Sequence, residues 1–300
     1  MHSCVTVFGG TGFLGCRIVD ALLARGVTVR VAARHSAHGN GGAAADRWVP
    51  VQADLRDPHS VHAALDGADA AVNAVSLYVE SRDATYQAIH VEGAGQLARA
   101  AAEAGVDRLV HISGIGSDAR STSAYIRARG EGEDAVRVAF PGATILRPSV
   151  MFGPDDAFLT TLVSLVRRLP MVPMFGEGST RLQPVHVEDV AAAVTIVLTA
   201  SDPPEPTYEL GGPEVLSYHA LLERVMRHLE RRRLLLPVPF SLWDGLAAAC
   251  QLLPSPPLTE GQVALMRQDN AADPGLPGFG ALGIHPAPIE AELGRRVARP

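Results

Sequence analysis

Apolar and polar positions alternate in blocks along the first half of the chain, and the opening block sets the pattern. Residues 5–8 form an apolar run of strand length that breaks at Gly9-Gly10-Thr11-Gly12. From Phe13 onward Leu14, Ile18, Ala21 and Leu22 recur at helical spacing on one face. Further strands are predicted over residues 27–33, 48–53, 68–75, 108–113 and 143–147, and helices over 58–65, 86–104 and 124–139. Strands alternating with helices pair in parallel through crossovers. The predicted fold class is therefore α/β, a doubly wound parallel (Rossmann) sheet. Residues 38–45 are small and are expected to form a surface loop.

Past Arg147 the pattern is less regular. Residues 155–168 read as a helix and 169–178 as a connection rich in Pro, Met and Gly. A strand over 181–187 and a helix over 188–199 follow, the helix with Val190, Val194 and Val197 inward. From Tyr208 short helical stretches mix with many prolines. The expected division is a dinucleotide-binding domain over 1–153 plus about 180–207, and a small substrate-binding lobe over about 154–179 plus 208–300. The lobe is expected over the carboxyl edge of the sheet, where ligands of open α/β sheets bind.

Gly9, Gly12 and Gly15 lie three apart at the first strand-to-helix junction. There the first glycine permits a tight turn, the second lets the backbone approach a pyrophosphate, and the third lets the helix lie close on the strand. The helix start adds free N–H groups and a partial positive charge. Gly9, Gly10, Thr11, Gly12, Phe13, Leu14 and Gly15 are the predicted phosphate cradle. A net charge of -6 lacks the basic stripe that a nucleic-acid partner needs. Cys4, Cys16 and Cys250 have no metal-ligand spacing and suit a reducing compartment, and no metal is expected. His111 and His186 fall within strands and read as satisfied structural residues. No run approaches the roughly 20 apolar residues of a membrane span, and the first strand follows Met1 too closely for a leader. A cytoplasmic location is expected, with attachment to a membrane complex, or peripherally to the inner face of the membrane, as the alternative.

The end of the second strand selects the cofactor. NAD-selective proteins usually place Asp or Glu there for the ribose 2′-hydroxyl, whereas this chain reads Val31-Ala-Ala-Arg-His35. Arg34 either pairs with a 2′-phosphate through its fork of donors or is a solvated charge at a strand end. NADP(H) is expected in preference to NAD(H). Asp54, at the end of strand three, either accepts from the adenine amino group or caps the helix beginning near Pro58.

Further motifs follow in order: Val91-Glu-Gly-Ala94, Arg108-Leu-Val-His-Ile-Ser113, and Thr144-Ile-Leu-Arg-Pro-Ser-Val-Met-Phe-Gly-Pro154. Gln183-Pro-Val-His-Val-Glu-Asp-Val-Ala191, Tyr208-Glu-Leu-Gly-Gly-Pro213 and Pro257-Leu-Thr-Glu-Gly-Gln-Val263 complete the series. In these and the glycine turn the chain resembles the short-chain dehydrogenase/reductase superfamily, in its extended and atypical branches. Within them it is similar to the group around a nucleotide-binding accessory subunit of respiratory complex I, alpha-subcomplex subunit nine. The resemblance implies bound NADP(H), with Arg34, Asp54, Leu55, Ala74, Val75, Ser76, Tyr125, Arg129 and Pro148 joining the cradle. It also implies a reaction centre with a tyrosine, a lysine four residues later, and a serine. The tyrosine exchanges a proton with a carbonyl while hydride moves to or from the nicotinamide. The lysine lowers the tyrosine pKa and holds the ribose, and the serine polarises the substrate oxygen. These positions are Tyr125, Arg129 and Ser113 here. Arg129 keeps the charge but never gives up its proton. Gly114 and Gly116 stand where active members often carry hydroxyls, and His90 stands where Asn often precedes Val-x-Gly.

Two functions follow. In the first, Tyr125 is a working acid supported by Arg129, and the chain is an oxidoreductase acting on a carbonyl or quinone-like small molecule. In the second, the site is degenerate and NADP(H) is a structural or sensing ligand. The chain then docks as an accessory or assembly protein of a respiratory NADH:quinone oxidoreductase. A nucleotide-sugar epimerase is a weaker third option, because that chemistry leans on an intact Tyr and Lys pair. Arg147 reads as an anchor and Asp189 as a cap or brace of the following helix. Arg231-Arg-Arg233 precedes an apolar run to Trp243 and a helix reaching Leu253. That combination fits an anionic membrane, another subunit, or the hydrophobic underside of the small lobe beside solvated charges.

Overall fold

The opening strand, β1 (Cys4–Phe8), buries Val5, Thr6, Val7 and Phe8, as a strand covered on both faces must. Its one polar member, Thr6, donates its hydroxyl to the Ala64 carbonyl at 2.8 Å. The computed structural model of the chain describes residues 3–35, 46–200, 205–251, 253 and 258–297, so the expected loop at 38–45 lies outside the described residues. The chain forms two compact units, the first comprising Met1–Pro148, Val187–Leu210 and Pro274–Ile284.

The first unit holds a seven-stranded parallel sheet. On one side of β1 lie β2 (Thr28–Ala33) and then β3 (Trp48–Gln52). On the other lie β4 (Ala70–Asn73), β5 (Arg108–Ile112), β6 (Thr144–Pro148) and an edge strand, Thr207–Leu210. The strand order reverses between β1 and β4, which is the switch point where doubly wound sheets open a crevice at their carboxyl ends. Helix α1 (Phe13–Ala24) buries Leu14, Ile18, Val19, Leu22 and Leu23. It packs against the helix Val187–Thr199, whose Val190, Val194 and Val197 are buried as expected. Helix α2 (Pro58–Leu65) starts at Asp57, whose carboxylate accepts from the His59 N–H at 3.1 Å. Helices α3 (Ala94–Glu103) and α4 (Ala124–Ala139) pack together on the sheet.

Several expected elements differ. The single helix over 86–104 is instead a π-helical segment, Gln87–Gly93, followed by α3. The strand over 181–187 is two short strands, Arg181–Leu182 and Val185–His186, because Pro184 lacks the N–H a ladder needs. Both lie in the second unit, not with the sheet. Thr207–Leu210, where the lobe was expected to begin at Tyr208, is the seventh strand, with Thr207 opposite Ile145 and Leu210 opposite Pro148.

The second unit comprises Ser149–His186, Gly211–Asp273 and His285–Pro300. Its core includes Phe152, Leu159, Val166, Leu182, Leu221, Leu222 and Val225. Strands Met171–Phe175 and Leu234–Val238 pair in parallel, so the expected connection at 169–178 contains a strand. Helix Ala157–Arg168 is capped by Asp156, which accepts from the Leu159 N–H at 2.6 Å. No helix among the described residues is long and apolar enough to cross a membrane.

Candidate functional site

The glycine turn is built so tightly that side chains have no room. Gly9 has φ +75°, and a Cβ there would lie 2.9 Å from the Ala74 carbonyl. The Gly9 carbonyl accepts from the Gly12 N–H at 2.9 Å. A Cβ on Gly15 would lie 2.0 Å from that same oxygen. Gly12 is the N-cap of α1, with no side-chain cap and no acid in the first turn. The first N–H groups of the helix are thus left for an anion, and the cradle fits a nucleotide pyrophosphate.

Where the adenosine half of a nucleotide is expected, Arg34 is exposed at the end of β2, its carbonyl accepting from Gln52 Nε2 at 3.3 Å. Asp54 does not cap α2, since Asp57 does. Its carboxylate instead pairs with Arg56, Nε to Oδ1 at 2.9 Å and Nη2 to Oδ2 at 2.5 Å. Arg56, and more weakly the field of Arg34, hold the Asp54 carboxyl below its ordinary range. Arg56 escaped the sequence reading, although Asp-x-Arg was its signal. Leu55 turns its side chain into the core beneath. Ala74 donates its N–H to the Phe8 carbonyl at 3.0 Å, and the Val75 N–H bonds Asn73 Oδ1 at 3.2 Å, which fixes the chain leaving β4. Pro148 is buried at the end of β6, and its carbonyl accepts from the Ile115 N–H at 3.1 Å.

Tyr125 and Arg129 are brought together on one face of α4. Tyr125 is 3 % exposed. Its ring meets Tyr78, Tyr86 and His90 at centroid distances of 5.9, 5.3 and 5.8 Å. The Arg129 guanidinium lies 5.4 Å from the same ring centroid, a cation–π contact. Burial, against the opposing influence of Arg129 and Ser76, pushes the Tyr125 pKa up to about 12. Two of the family departures form one packing solution. A Cβ on Gly114 would lie 1.7 Å from Arg129 Nη2, so a side chain at 114 and this arginine conformation exclude each other. The third, His90, lies in the π-helical segment, a common device at functional sites. Its Nε2 contacts the Leu77 N–H at 3.3 Å and carbonyl at 3.0 Å, and burial lowers its pKa to about 4. His111, paired with Asn73 at 3.2 Å, is likewise kept neutral by burial, with a pKa of about 4.

Ser113 is engaged elsewhere. Its hydroxyl donates to Glu133 Oε1 at 2.6 Å. Glu133 is 1 % exposed and receives Arg147 in a fork, Nε to Oε1 at 2.9 Å and Nη2 to Oε2 at 2.6 Å. Arg137 Nη2 adds 3.2 Å to Oε2, and Arg147 also reaches Glu209 at 3.3 Å. Burial alone would raise the Glu133 pKa, but Arg147, Ser113 and Arg137 outweigh it and hold the carboxyl below its ordinary range. Arg147 is thus an anchor, as expected. Glu133 and Arg137 were missed, although Tyr125, Arg129, Glu133 and Arg137 recur every fourth residue, one above another on a helix face.

The model of the NAD dependent epimerase/dehydratase family matches residues 5–211. The chain is 33 % identical over 275 residues to "NADH dehydrogenase [ubiquinone] 1 alpha subcomplex subunit 9, mitochondrial" of Arabidopsis thaliana, covering 89 % of this chain and 68 % of that one. It is 33 % identical over 188 residues to a ceramide reductase of Caulobacter vibrioides, covering 63 % of this chain and 58 % of the relative. In structure it resembles DesIV, a dTDP-glucose 4,6-dehydratase of Streptomyces venezuelae solved with NAD and TYD bound. There the TM-score is 0.72 at 22 % identity, over 98 % of this chain and 96 % of that one, a likeness of fold. With the glycine turn, the reversed strand order and the family match in register along the first two thirds of its length, the chain belongs to the NAD dependent epimerase/dehydratase family, the extended short-chain dehydrogenases/reductases.

Proposed function

We propose that this chain is an NADP(H)-dependent reductase acting on a carbonyl or quinone-like compound, with Tyr125 as the proton donor. The observation that carries this reading is the placement of Tyr125 and Arg129 one turn apart on α4, with the Arg129 guanidinium 5.4 Å from the Tyr125 ring centroid. A phenol is protonated at neutral pH, so Tyr125 starts as the proton donor that reduction of a carbonyl needs. The nicotinamide, when bound, supplies the hydride. Tyr125 gives its Oη proton to the substrate oxygen and recovers one from solvent, and Arg129 supplies the nearby positive charge. Arginine at this position is no mark of decay by itself. All 26 residues counted as Lys or Arg are arginine, so every cationic site of this chain uses it.

A second reading, an accessory protein that holds NADP(H) without turnover, is favoured by Ser113, whose proton is committed to Glu133 rather than free for a substrate oxygen. The Arabidopsis relative, named as a subunit of an NADH dehydrogenase complex, is in keeping with a chain that docks on a larger assembly. Steady-state oxidation of NADPH with a carbonyl and quinone panel separates the two. Turnover is expected, and Tyr125→Phe is expected to lower kcat by about 10²–10⁴-fold with NADPH affinity kept. Tight cofactor binding with no turnover across the panel assigns the accessory role instead.

The preference for NADP(H) rests on Arg34 at the end of a strand that carries no acid. Charge-assisted pairing with a 2′-phosphate predicts that Arg34→Ala weakens NADPH binding by roughly 10–100-fold and leaves NADH binding nearly unchanged. Titration of both nucleotides by calorimetry checks this. Tighter NADH than NADPH binding by the unaltered chain overturns it.

A further inference from the structure

The segment from Arg227 to Leu253 contains most of the large exposed apolar side chains of the second unit. Helix Phe240–Cys250 turns Phe240 and Trp243 inward: both rings contact Phe175, and Trp243 Nε1 donates to the Met174 carbonyl at 3.1 Å. What it turns outward is aliphatic. Leu242 is 63 % and Leu246 49 % exposed, Ala249 is exposed, and Leu253 beyond the helix end is 51 % exposed. Residues 242, 246 and 249 lie along one helical stripe. In the preceding strand Leu234 and Leu236, two residues apart and so on one side, are 62 % and 43 % exposed. Leu234 stands opposite Met171, which is also exposed. The reading of the segment as a lobe underside holds for Phe240, Trp243, Leu235 and Ala247, which pack inward or are buried, and not for these exposed leucines.

Arginines gather at the edge of this apolar surface. Arg233 donates to the Val166 carbonyl at 2.8 Å and the Arg167 carbonyl at 3.3 Å, which draws the end of helix Ala157–Arg168 against residues 231–233. Arg167, Arg168, Arg227, Arg231 and Arg232 are exposed. The acidic groups of this segment are Glu230, which is exposed, and Asp244, which pairs with Arg267 at 2.5 Å. A chain of net charge -6 therefore concentrates positive charge beside its exposed leucines. Guanidinium groups beside an aliphatic helix face complement an anionic lipid surface, which takes the leucines among its acyl chains and the arginines among its phosphates. A protein interface would instead present its aromatic anchors outward, and here they are turned in.

We infer that the exposed leucines Leu242, Leu246 and Leu253, with Leu234, Leu236 and the arginines at 231 and 232, dock the chain on an anionic lipid bilayer. The test is co-sedimentation of the full chain with phosphatidylcholine vesicles, with and without about 30 % phosphatidylglycerol, at low and high salt. Binding is expected to the anionic vesicles and to weaken in high salt. Arg231→Ser/Arg232→Ser is expected to lower the partition coefficient roughly thirtyfold. Leu242→Asp/Leu246→Asp, at exposed positions, is expected to abolish vesicle binding while NADPH titration and thermal unfolding stay unchanged. Protein left in the supernatant with anionic vesicles overturns the inference, as does equal binding by the leucine variant. Sedimentation velocity of the free chain gives the competing outcome. A dimer that the leucine substitutions dissociate assigns the face to a second copy and overturns lipid docking.

Discussion

Gly15→Ala is expected to abolish nucleotide binding and to destabilise the chain. The added methyl would sit 2.0 Å from the Gly9 carbonyl oxygen, a backbone atom that no rotamer change can move aside. Helix propensity works the other way, since alanine is favoured over glycine in a helix by up to about 1 kcal/mol. Overpacking against fixed backbone costs about 1–3 kcal/mol or more, so the clash outweighs the gain. Relief requires α1 to back away from β1, and that movement withdraws the helix N–H groups from the phosphate site. The expected result is an NADPH affinity lowered at least a hundredfold, together with a lower unfolding midpoint. Gly245→Ala is the control. It adds the same methyl to a helix with nothing within 4 Å, and stability should hold or rise slightly. An unchanged NADPH titration for Gly15→Ala would falsify the assignment of the turn as the phosphate cradle.

The same geometry explains why the opening of the chain was so legible. A buried strand, a tight turn and a close helix each impose a residue type at a fixed offset, and all three constraints fall within fifteen residues. The alternating strands and helices up to Pro148 follow the same local logic. Legibility ends where a strand is defined by its partner. Thr207–Leu210 is four residues long, and only its pairing with β6, some sixty residues earlier, makes it part of the sheet. Met171–Phe175 and Leu234–Val238 each carry a proline and look like connections until they meet. The candidate site divides in the same way. Gly9 to Gly15, Tyr125 and Arg129 announce themselves by spacing. That Gly114 makes the room Arg129 occupies follows only from the approach of α4 to the end of β5. Glu133 looked like one more helix glutamate, because its partners Ser113 and Arg147 come from two separate strands or strand ends, and Glu209, which shares Arg147, comes from a third.

That buried glutamate carries the other large effect. Glu133→Ala leaves Arg147 with only Glu209 at 3.3 Å, leaves the Ser113 hydroxyl without its acceptor, and opens a cavity. Removing one partner of a buried ion pair typically costs about 3–5 kcal/mol, because the remaining charge stays desolvated, and here Arg147 keeps one carboxylate, Glu209, of its two. Glu133→Gln keeps the volume and one acceptor and should fall near 3 kcal/mol. The pair itself is not the source of this cost. Glu133→Leu combined with Arg147→Met is therefore expected to be less destabilised than the sum of the two single changes, a coupling that urea denaturation of all four proteins measures. Acid supplies an independent check. The folded-state pKa of Glu133 is lowered, so the unfolded chain binds its proton first as pH falls. Its contribution is complete above the ordinary glutamate value of about 4.3 and is lost as pH drops through the folded value. The stability gap between the natural chain and Glu133→Gln should thus be full at pH 7 and close on acidification below about 4.3. A gap below about 1 kcal/mol at neutral pH, or one that stays constant to pH 3, would mean that the Arg147–Glu133–Ser113 bracket does not hold β5, β6 and α4 together.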